Sequence, residues 1–385
     1  MDGIRVGVDG SRLRSGGGIA HLIGILSIDD PSGFGIKEIH VWAHRQLLDL
    51  LPERPWLVKH RPAALERALL HQLYWQGVHL VRELEATKCD ILFSADVSTL
   101  CKFNPMVVLN HNMLAYDDGV LPLFGLSKDR IQQTLMYFVQ KRAFHRANGV
   151  IFLTKHASRK VQQRVGRLTR TTCIPHGVAD IFKCTSHQAE WPSAGQRAIR
   201  CLYVSPVHEY KHQPEVVLAV KMLRDKGLDL KLTLVGGGGT RALKILAQLL
   251  AAVDPAHSFV ESLAFIQNDD VAKLIANSDI FIFASSCETF GIALLEAMTI
   301  GLPIACSNRS SLPETLQDGG EYFDPQNPES ISMAIDRLIQ NADRRIAVAG
   351  RAKALALGYS WSQCAQDTWE FMVKTYFEAK SEGAA

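Results

Sequence analysis

The chain has 385 residues, 47% of them hydrophobic, which suffices for two domains with ordinary cores. A formal net charge of +3 is too small to argue for nucleic acid, although a clustered excess of base would suit an acidic membrane surface. The 8 cysteines include no C-x-x-C pair, and no run has the shape of a signal-peptide core or a bilayer span, so a reduced chain kept in the cytoplasm is expected.

A first strand is predicted over 4–10 (IRVGVDG), and SRLRSGGGIAHLIGIL carries it through a glycine-rich loop into a helix. Gly16, Gly17 and Gly18 leave backbone N–H groups open to a phosphate or sugar ring, although three glycines are equally a flexible turn. The runs at 38–43, 89–94, 106–112, 149–154 and 172–175 read as further strands separated by helical patterns. That alternation predicts an open, mostly parallel sheet with ligands at the carboxyl ends of its strands, and His111 stands at such an end. Residues 128–148 (KDRIQQTLMYFVQKRAFHRAN) mix Leu135, Phe138 and Val139 with Lys141, Arg142 and Arg146. They read either as a core-facing helix with a solvated basic side or as a docking face for anionic lipid headgroups.

Residues 183–199 lose hydrophobic periodicity and carry Pro192 and Gly195, as an interdomain linker does. A second series then opens at 201–220 with a strand, a polar loop holding Ser205 and Lys211, and a helix. KLTLVGGGGTRALKIL (231–246) repeats that plan, but Arg241 stands where a dinucleotide fingerprint needs its third glycine, which argues against a dehydrogenase. An aromatic-rich helical tail closes the chain at 359–379.

The stretch ASSCETFGIALLEAMTIGLPIACS (284–307) carries the most chemistry. SDIFIFAS (278–285) is apolar enough for a buried parallel strand, and GIALLEAM supplies the following helix, so Glu288 falls in the loop and Glu296 on the helix. Eight helical residues span roughly 12 Å, too far for the two carboxylates to share a proton. The backbone N–H groups of Phe290, Gly291 and Ile292 at the helix tip favour a phosphate. A diphosphate at the tip with a carboxylate on either side suits a nucleotide sugar: Glu296 for ribose hydroxyls, Glu288 for the transferred sugar.

ETFGIALLEAM, GLPIACSNRSSLPE and YFDPQNPES (288–298, 301–314, 322–330) together resemble the C-terminal signature of retaining GT-B glycosyltransferases of the family 4 or group 1 type. Among that family's members the chain looks most like bacterial O-antigen-type mannosyltransferases. The resemblance implies two Rossmann-like doubly wound domains facing a central cleft. It implies an N-terminal acceptor-side domain over 1–185, a linker at 186–199, a donor domain over 200–360, and a last helix, 361–385, that crosses back. It places Gly17 and Gly18 on the donor, His111 near the reacting carbon, and Lys211 on the diphosphate; Glu288, Lys211 and His111 are then the catalytic candidates. Many relatives carry an Arg where this chain has Ser205, and His208 or Arg309 could supply the missing cation.

No metal is expected, since no D-x-D pair sits in a suitable loop, and no cofactor beyond the nucleotide-sugar donor, with GDP-mannose favoured. The acceptor is expected to be a glycan or lipid-linked glycan at the inner face of the plasma membrane, with an anionic membrane surface as a further partner and no nucleic acid. A nucleotide-sugar epimerase on the same fold, or a non-catalytic nucleotide-sugar-binding regulator, is the competing reading.

Overall fold

The computed structural model describes residues 3–14, 16–193 and 195–383. The chain divides into two compact units, one of Met1–Leu121, Gly125–Gly177 and Ser360–Ala385, the other of Pro122–Phe124 and Val178–Tyr359.

In the first unit β1 (Ile4–Asp9), β2 (Ile36–Trp42), β3 (Leu57–His60), β4 (Ile91–Ser94), β5 (Met106–Leu109), β6 (Gly149–Phe152) and β7 (Thr171–Cys173) form one sheet. Its order is β3-β2-β1-β4-β5-β6-β7, parallel throughout. The strands β4, β5 and β6 are buried along their whole length, which is why they read as continuous apolar runs rather than alternating ones. Helix α1 (Gly17–Leu26) follows the first glycine loop, and α2 (Lys128–Arg146) is the basic helix, capped by Ser127.

In the second unit β8 (Ile199–Val204), β9 (Leu230–Val235), β10 (Val260–Leu263), β11 (Ile280–Phe283), β12 (Ile304–Ser307) and β13 (Glu321–Phe323) pair in the order β10-β9-β8-β11-β12-β13, again all parallel. Helix α3 (Gln213–Asp225) follows β8, and α4 (Ile292–Ile300) follows β11. In both sheets the strand order reverses once, between β1 and β4 and between β8 and β11. The loops leaving those strands diverge there and open a crevice at the carboxyl edge.

The boundary between units falls after Gly177 rather than after residue 185, and residues 186–199 are no free linker. Helix Asp180–Cys184 packs on Asn268–Ala276 and α4. Beyond it Gln188 N donates to Ala276 O at 2.9 Å, Arg197 grips Asp279 at 2.6 and 2.8 Å, and the Arg345 guanidinium lies 3.5 Å from the Trp191 ring centre. The lost periodicity at 183–199 marks an absence of regular structure, and polar contacts and one aromatic anchor hold the strand-less segment to the second unit.

The last helix, α5 (Trp361–Gly383), belongs to the first unit and packs on α1. Trp369 Nε1 donates to Ile25 O at 2.9 Å, and a Cβ on Gly24 would lie 2.2 Å from the Trp361 ring, so a bare glycine permits the approach. Cys173 and Cys184 are exposed and the other six cysteines are buried.

Candidate active site

The chemistry of the second unit gathers where its strand order reverses. The loop after β8 turns tightly at Glu209–Lys211 and enters α3 through His212, whose left-handed backbone (φ 53°) is unusual for a residue with a side chain. Tyr203 Oη donates to Lys211 O at 2.6 Å and Ser286 N donates to Tyr210 O at 2.8 Å. His212 Nε2 lies 2.9 Å from Ser286 Oγ. The two bonds to Ser286 stitch the loop after β8 to the loop after β11.

The stitching puts Lys211 and Glu288 in contact: Lys211 Nζ is ion-paired and hydrogen-bonded to Glu288 Oε1. Both side chains are largely covered, at 8% and 15% exposure. The ammonium also lies 5.2 Å from the Tyr210 ring centre and 5.7 Å from that of Phe283, so its apolar stem is packed and its head is held by one carboxylate. Glu288 is fixed by its backbone as well. Its N–H donates to Ser310 Oγ at 2.9 Å, and its carbonyl accepts from Ser310 Oγ at 2.8 Å and Ser311 Oγ at 2.9 Å, both from the loop after β12.

Gly291 caps α4 with φ 93°, and a Cβ there would meet Leu312 Cδ2 at 3.1 Å. The positive φ favours glycine at the point where the loop becomes helix, and the Leu312 methyl leaves little room for a side chain. Phe290 is buried edge-on against Tyr359, ring centres 5.5 Å apart, and anchors the turn. Gly291 and Ile292 donate no backbone hydrogen bond among the described residues, so the tip of α4 keeps two N–H groups for an anion. Along α4, Leu294, Leu295, Ala297 and Met298 are buried while Ile292, Glu296 and Thr299 form one partly open strip. Glu296 lies on the strip one turn beyond Ile292, and burial pushes its carboxyl up to about 8.

Ser205 is buried and its Oγ donates to Pro206 O at 3.2 Å, in its own loop. Of the two cations considered in its place, Arg309 is paired with Asp324 at 3.1 Å, while His208 stacks on Tyr210 with ring centres 5.4 Å apart. A Cβ on Gly239 would lie 3.7 Å from His208 Nδ1, so the imidazole stands between the glycine loop after β9 and the Lys211 turn.

In the first unit Gly18 and His111 come together: a Cβ on Gly18 would lie 3.7 Å from the His111 ring and 2.7 Å from Leu13 Cδ2. Gly17 begins α1. Burial pushes His111 down to about 4, which keeps its imidazole neutral at physiological pH. Two neighbours complete a cluster, His21, which the sequence did not mark, and His176, whose segment (174–182) resembles the one that closes the first domain in the family. The His21 ring from α1 stands edge-on at 5.6 Å from His111, and His176, after β7, stacks on His111 at 5.7 Å. Trp361 closes the cluster, 5.4 Å from His176. Asp9 at the end of β1 was also left unmarked. Burial raises its carboxyl even though Ser11 N (3.0 Å) and Gln76 Nε2 (2.7 Å) donate to it.

Residues 190–354 match the family model described as Glycosyl transferases group 1. These residues are a glycosyl transferases group 1 domain. The glycosyltransferase domain contains every second-unit site residue named above except Tyr359. The chain is 34% identical over 110 residues to the O-antigen chain mannosyltransferase B of Escherichia coli, covering 29% of each protein. Over 244 residues it is 28% identical to the GDP-mannose-dependent alpha-(1-6)-phosphatidylinositol dimannoside mannosyltransferase of Mycobacterium tuberculosis, 61% of this chain and 60% of that one. The chain thus spans less than two thirds of these curated relatives.

Among solved structures, sucrose-phosphate synthase from Thermosynechococcus elongatus superposes with a TM-score of 0.75 at 16% identity, over 95% of this chain and 97% of that one. Anabaena HepE in complex with UDP and glucose gives 0.72 at 18% identity, over 95% and 98%. The fold is therefore GT-B, with two parallel α/β sheets. Among the described residues no helix is long and apolar enough to cross a membrane, and no group of three or more His, Cys, Asp or Glu is placed to hold a metal ion.

Proposed function

We propose that the chain is a retaining glycosyltransferase that moves a sugar, mannose by preference, from a nucleoside diphosphate to a hydroxyl of a glycan or lipid-linked glycan. The observation that carries this reading is the Lys211–Glu288 pair beside the Gly291-led tip of α4, with Glu296 a turn further on, inside a glycosyl transferases group 1 domain. GDP-mannose as donor is supported by the mannosyl relatives, one of which is named for its dependence on it. A diphosphate would lie on the α4 tip and beside Lys211, whose positive charge offsets the negative charge that grows as the nucleotide leaves. In this reading Lys211 takes the place of a divalent metal ion.

As the bond from the anomeric carbon to the phosphate oxygen breaks, the bond from that carbon to the acceptor oxygen forms on the same face. The acceptor's proton passes to the departing phosphate. Glu288 orients the sugar and, by its contact with Lys211, holds the ammonium in register; Glu296 accepts from the ribose hydroxyls. His111, neutral, serves the sugar as donor or acceptor. Lipid-linked acceptors would be met at the inner face of the plasma membrane.

Transfer from labelled GDP-mannose to a glycan-lipid extract tests the reading. Lys211→Ala and Glu288→Ala are each expected to lower kcat by ~100-fold or more while the folded structure is kept. Full transfer by Glu288→Ala would remove the assignment, and release of free or altered sugar with no acceptor consumed would favour an epimerase.

A further inference from the structure

The glycine run after β9, Gly236–Gly239, stands where a phosphate loop would, but its backbone is engaged by neighbouring chain. Gly236 N donates to Leu263 O at 3.0 Å, Val207 N donates to Gly237 O at 2.8 Å, and Gly239 N donates to Val207 O at 3.2 Å. The run therefore lies along the loop leaving β8 as a short parallel bridge. A Cβ on Gly236 would stand 2.4 Å from Ser205 O, and one on Gly238 2.2 Å from Val207 O. Those are backbone atoms that cannot swing aside, so bare glycines are what let the two loops come this close.

That approach delivers Arg241. It sits in the first turn of the helix Thr240–Val253, where the macrodipole disfavours a cation and no acid offsets it. A residue that breaks a local rule is expected to be compensated elsewhere, and Arg241 has two partners in the second unit. Its Nη1 donates to Phe124 O at 2.7 Å, and its Nε lies 3.8 Å from Glu209 Oε1, in the turn that ends at Lys211. Phe124 closes a three-residue excursion of the chain: Pro122–Phe124 counts with the second unit, while the residues on either side count with the first. Its side chain is buried, whereas Leu126, two residues on, is fully exposed, so the burial is particular to Phe124. The Phe124 ring centre lies 6.3 Å from that of Tyr210, the ring over which the Lys211 ammonium lies.

We propose that Arg241 and Phe124 are positioning residues for Lys211. Arg241, brought up by the glycine run, holds the Phe124 carbonyl and the Glu209 carboxylate together, and the Phe124 ring then backs Tyr210, against which the Lys211 ammonium packs. The glycine run is in this account a brace for the Lys211 turn and not a phosphate cradle. Only the catalytic consequence rests on the reading of Lys211 as the cation that meets the leaving diphosphate; the placement of the side chain is tested without donor or transfer.

Reductive methylation of the full chain with formaldehyde, followed by peptide mass spectrometry, reads how fast each lysine is modified. The Lys211 side chain is 8% exposed and should react slowly in wild type, while Lys374, 71% exposed, serves as the internal reference. Loss of a charge-assisted hydrogen bond should raise the Lys211 rate, relative to Lys374, by ~10-fold in Arg241→Ala, and Phe124→Ala should do the same. Arg241→Lys keeps a donor for the Phe124 carbonyl and should stay within about twofold of wild type. Transfer from labelled GDP-mannose gives the catalytic readout: Arg241→Ala should lower kcat by ~10-fold with calorimetric GDP affinity held within about threefold, and should cost under about twofold in a Lys211→Ala background, because it acts through Lys211. Unchanged Lys211 labelling in both alanine variants, a rise shared by every covered lysine, or a full further loss of kcat on top of Lys211→Ala overturns the proposal. A wild type that transfers nothing would refute the proposed function, and the labelling would still decide the brace.

Discussion

Glu296→Gln separates the two consequences of placing a carboxyl on the half-covered strip of α4. In the folded chain this group titrates at about 8, against 4.5 for an ordinary glutamate. Because the folded value is the higher one, the folded protein holds more protons than the unfolded chain between the two, and stability falls as pH rises through that window. The loss is absent below 4.5, grows through neutrality and is complete above 8.

At ~1.4 kcal/mol per pH unit the full window corresponds to ~5 kcal/mol, an upper bound because the side chain is only partly covered. We expect Glu296→Gln, which keeps the shape without the titration, to exceed wild type by ~2 kcal/mol near pH 8, with the gap closing towards pH 4.5. Urea unfolding at a series of pH values and fixed ionic strength measures it. Parallel pH profiles for the two proteins would show that Glu296 does not titrate late and would refute the reasoning. Binding gives the second readout. A carboxylate can accept from ribose hydroxyls only after losing its own proton, so GDP affinity of wild type should climb with pH up to about 8 and release a proton, while the Gln variant should bind weakly and without that slope.

Lys211→Met leaves the Glu288 carboxylate largely covered and unpaired, which should cost ~3 kcal/mol, and Glu288→Gln added to it should return most of that; a thermodynamic double-mutant cycle measures the coupling. Gly177→Ala would place a Cβ 2.1 Å from Trp361 N and 2.4 Å from Ser360 C, backbone atoms that cannot swing aside, so thermal unfolding should show a loss of ~2 kcal/mol or more. Asp254 has the opposite sign to Glu296. Burial pushes its carboxyl up, but N–H groups of Ser258, Phe259 and Val260 and the Ser258 hydroxyl outweigh this and hold it at about 2, below the ordinary 3.8. Its stabilisation is present above 3.8 and lost as pH falls through 2, so Asp254→Asn should cost ~2 kcal/mol at neutral pH and less and less in acid.

The strands that stand out most clearly in the sequence are those whose burial is complete, although the partly exposed edge strand β7 was read as well. β6 and β11 are four-residue runs buried at every position, and their apolar letters stand out. β3 (LVKH) and β13 (EYF) carry charge and partial exposure at the sheet edges, and nothing in their letters separates them from loop. The stretch 69–79 also passed unread, since its apolar residues face outward and its turn widens to a π-helix at Trp75–His79.

The site follows the same division. Glu288, Phe290, Gly291, Ile292 and Glu296 were legible because one strand, one turn and one helix hold them in a continuous piece of chain. That Lys211 touches Glu288 was not, because 77 residues separate the two. What joins them is the sheet order: β8 pairs with β11 rather than with its successor on that side, so the loops leaving these two strands emerge next to each other at the reversal of strand order. Periodicity tells which segments are strands and says nothing of which strand lies beside which. The serines that brace Glu288 depend on the next pairing, β11 with β12, and the His21–His111–His176 cluster depends on α1, β5 and β7 of the other sheet. A circular permutant or strand swap that kept every motif but altered those neighbours would therefore keep the signature and lose the Lys211–Glu288 contact, and with it the grip on a leaving diphosphate.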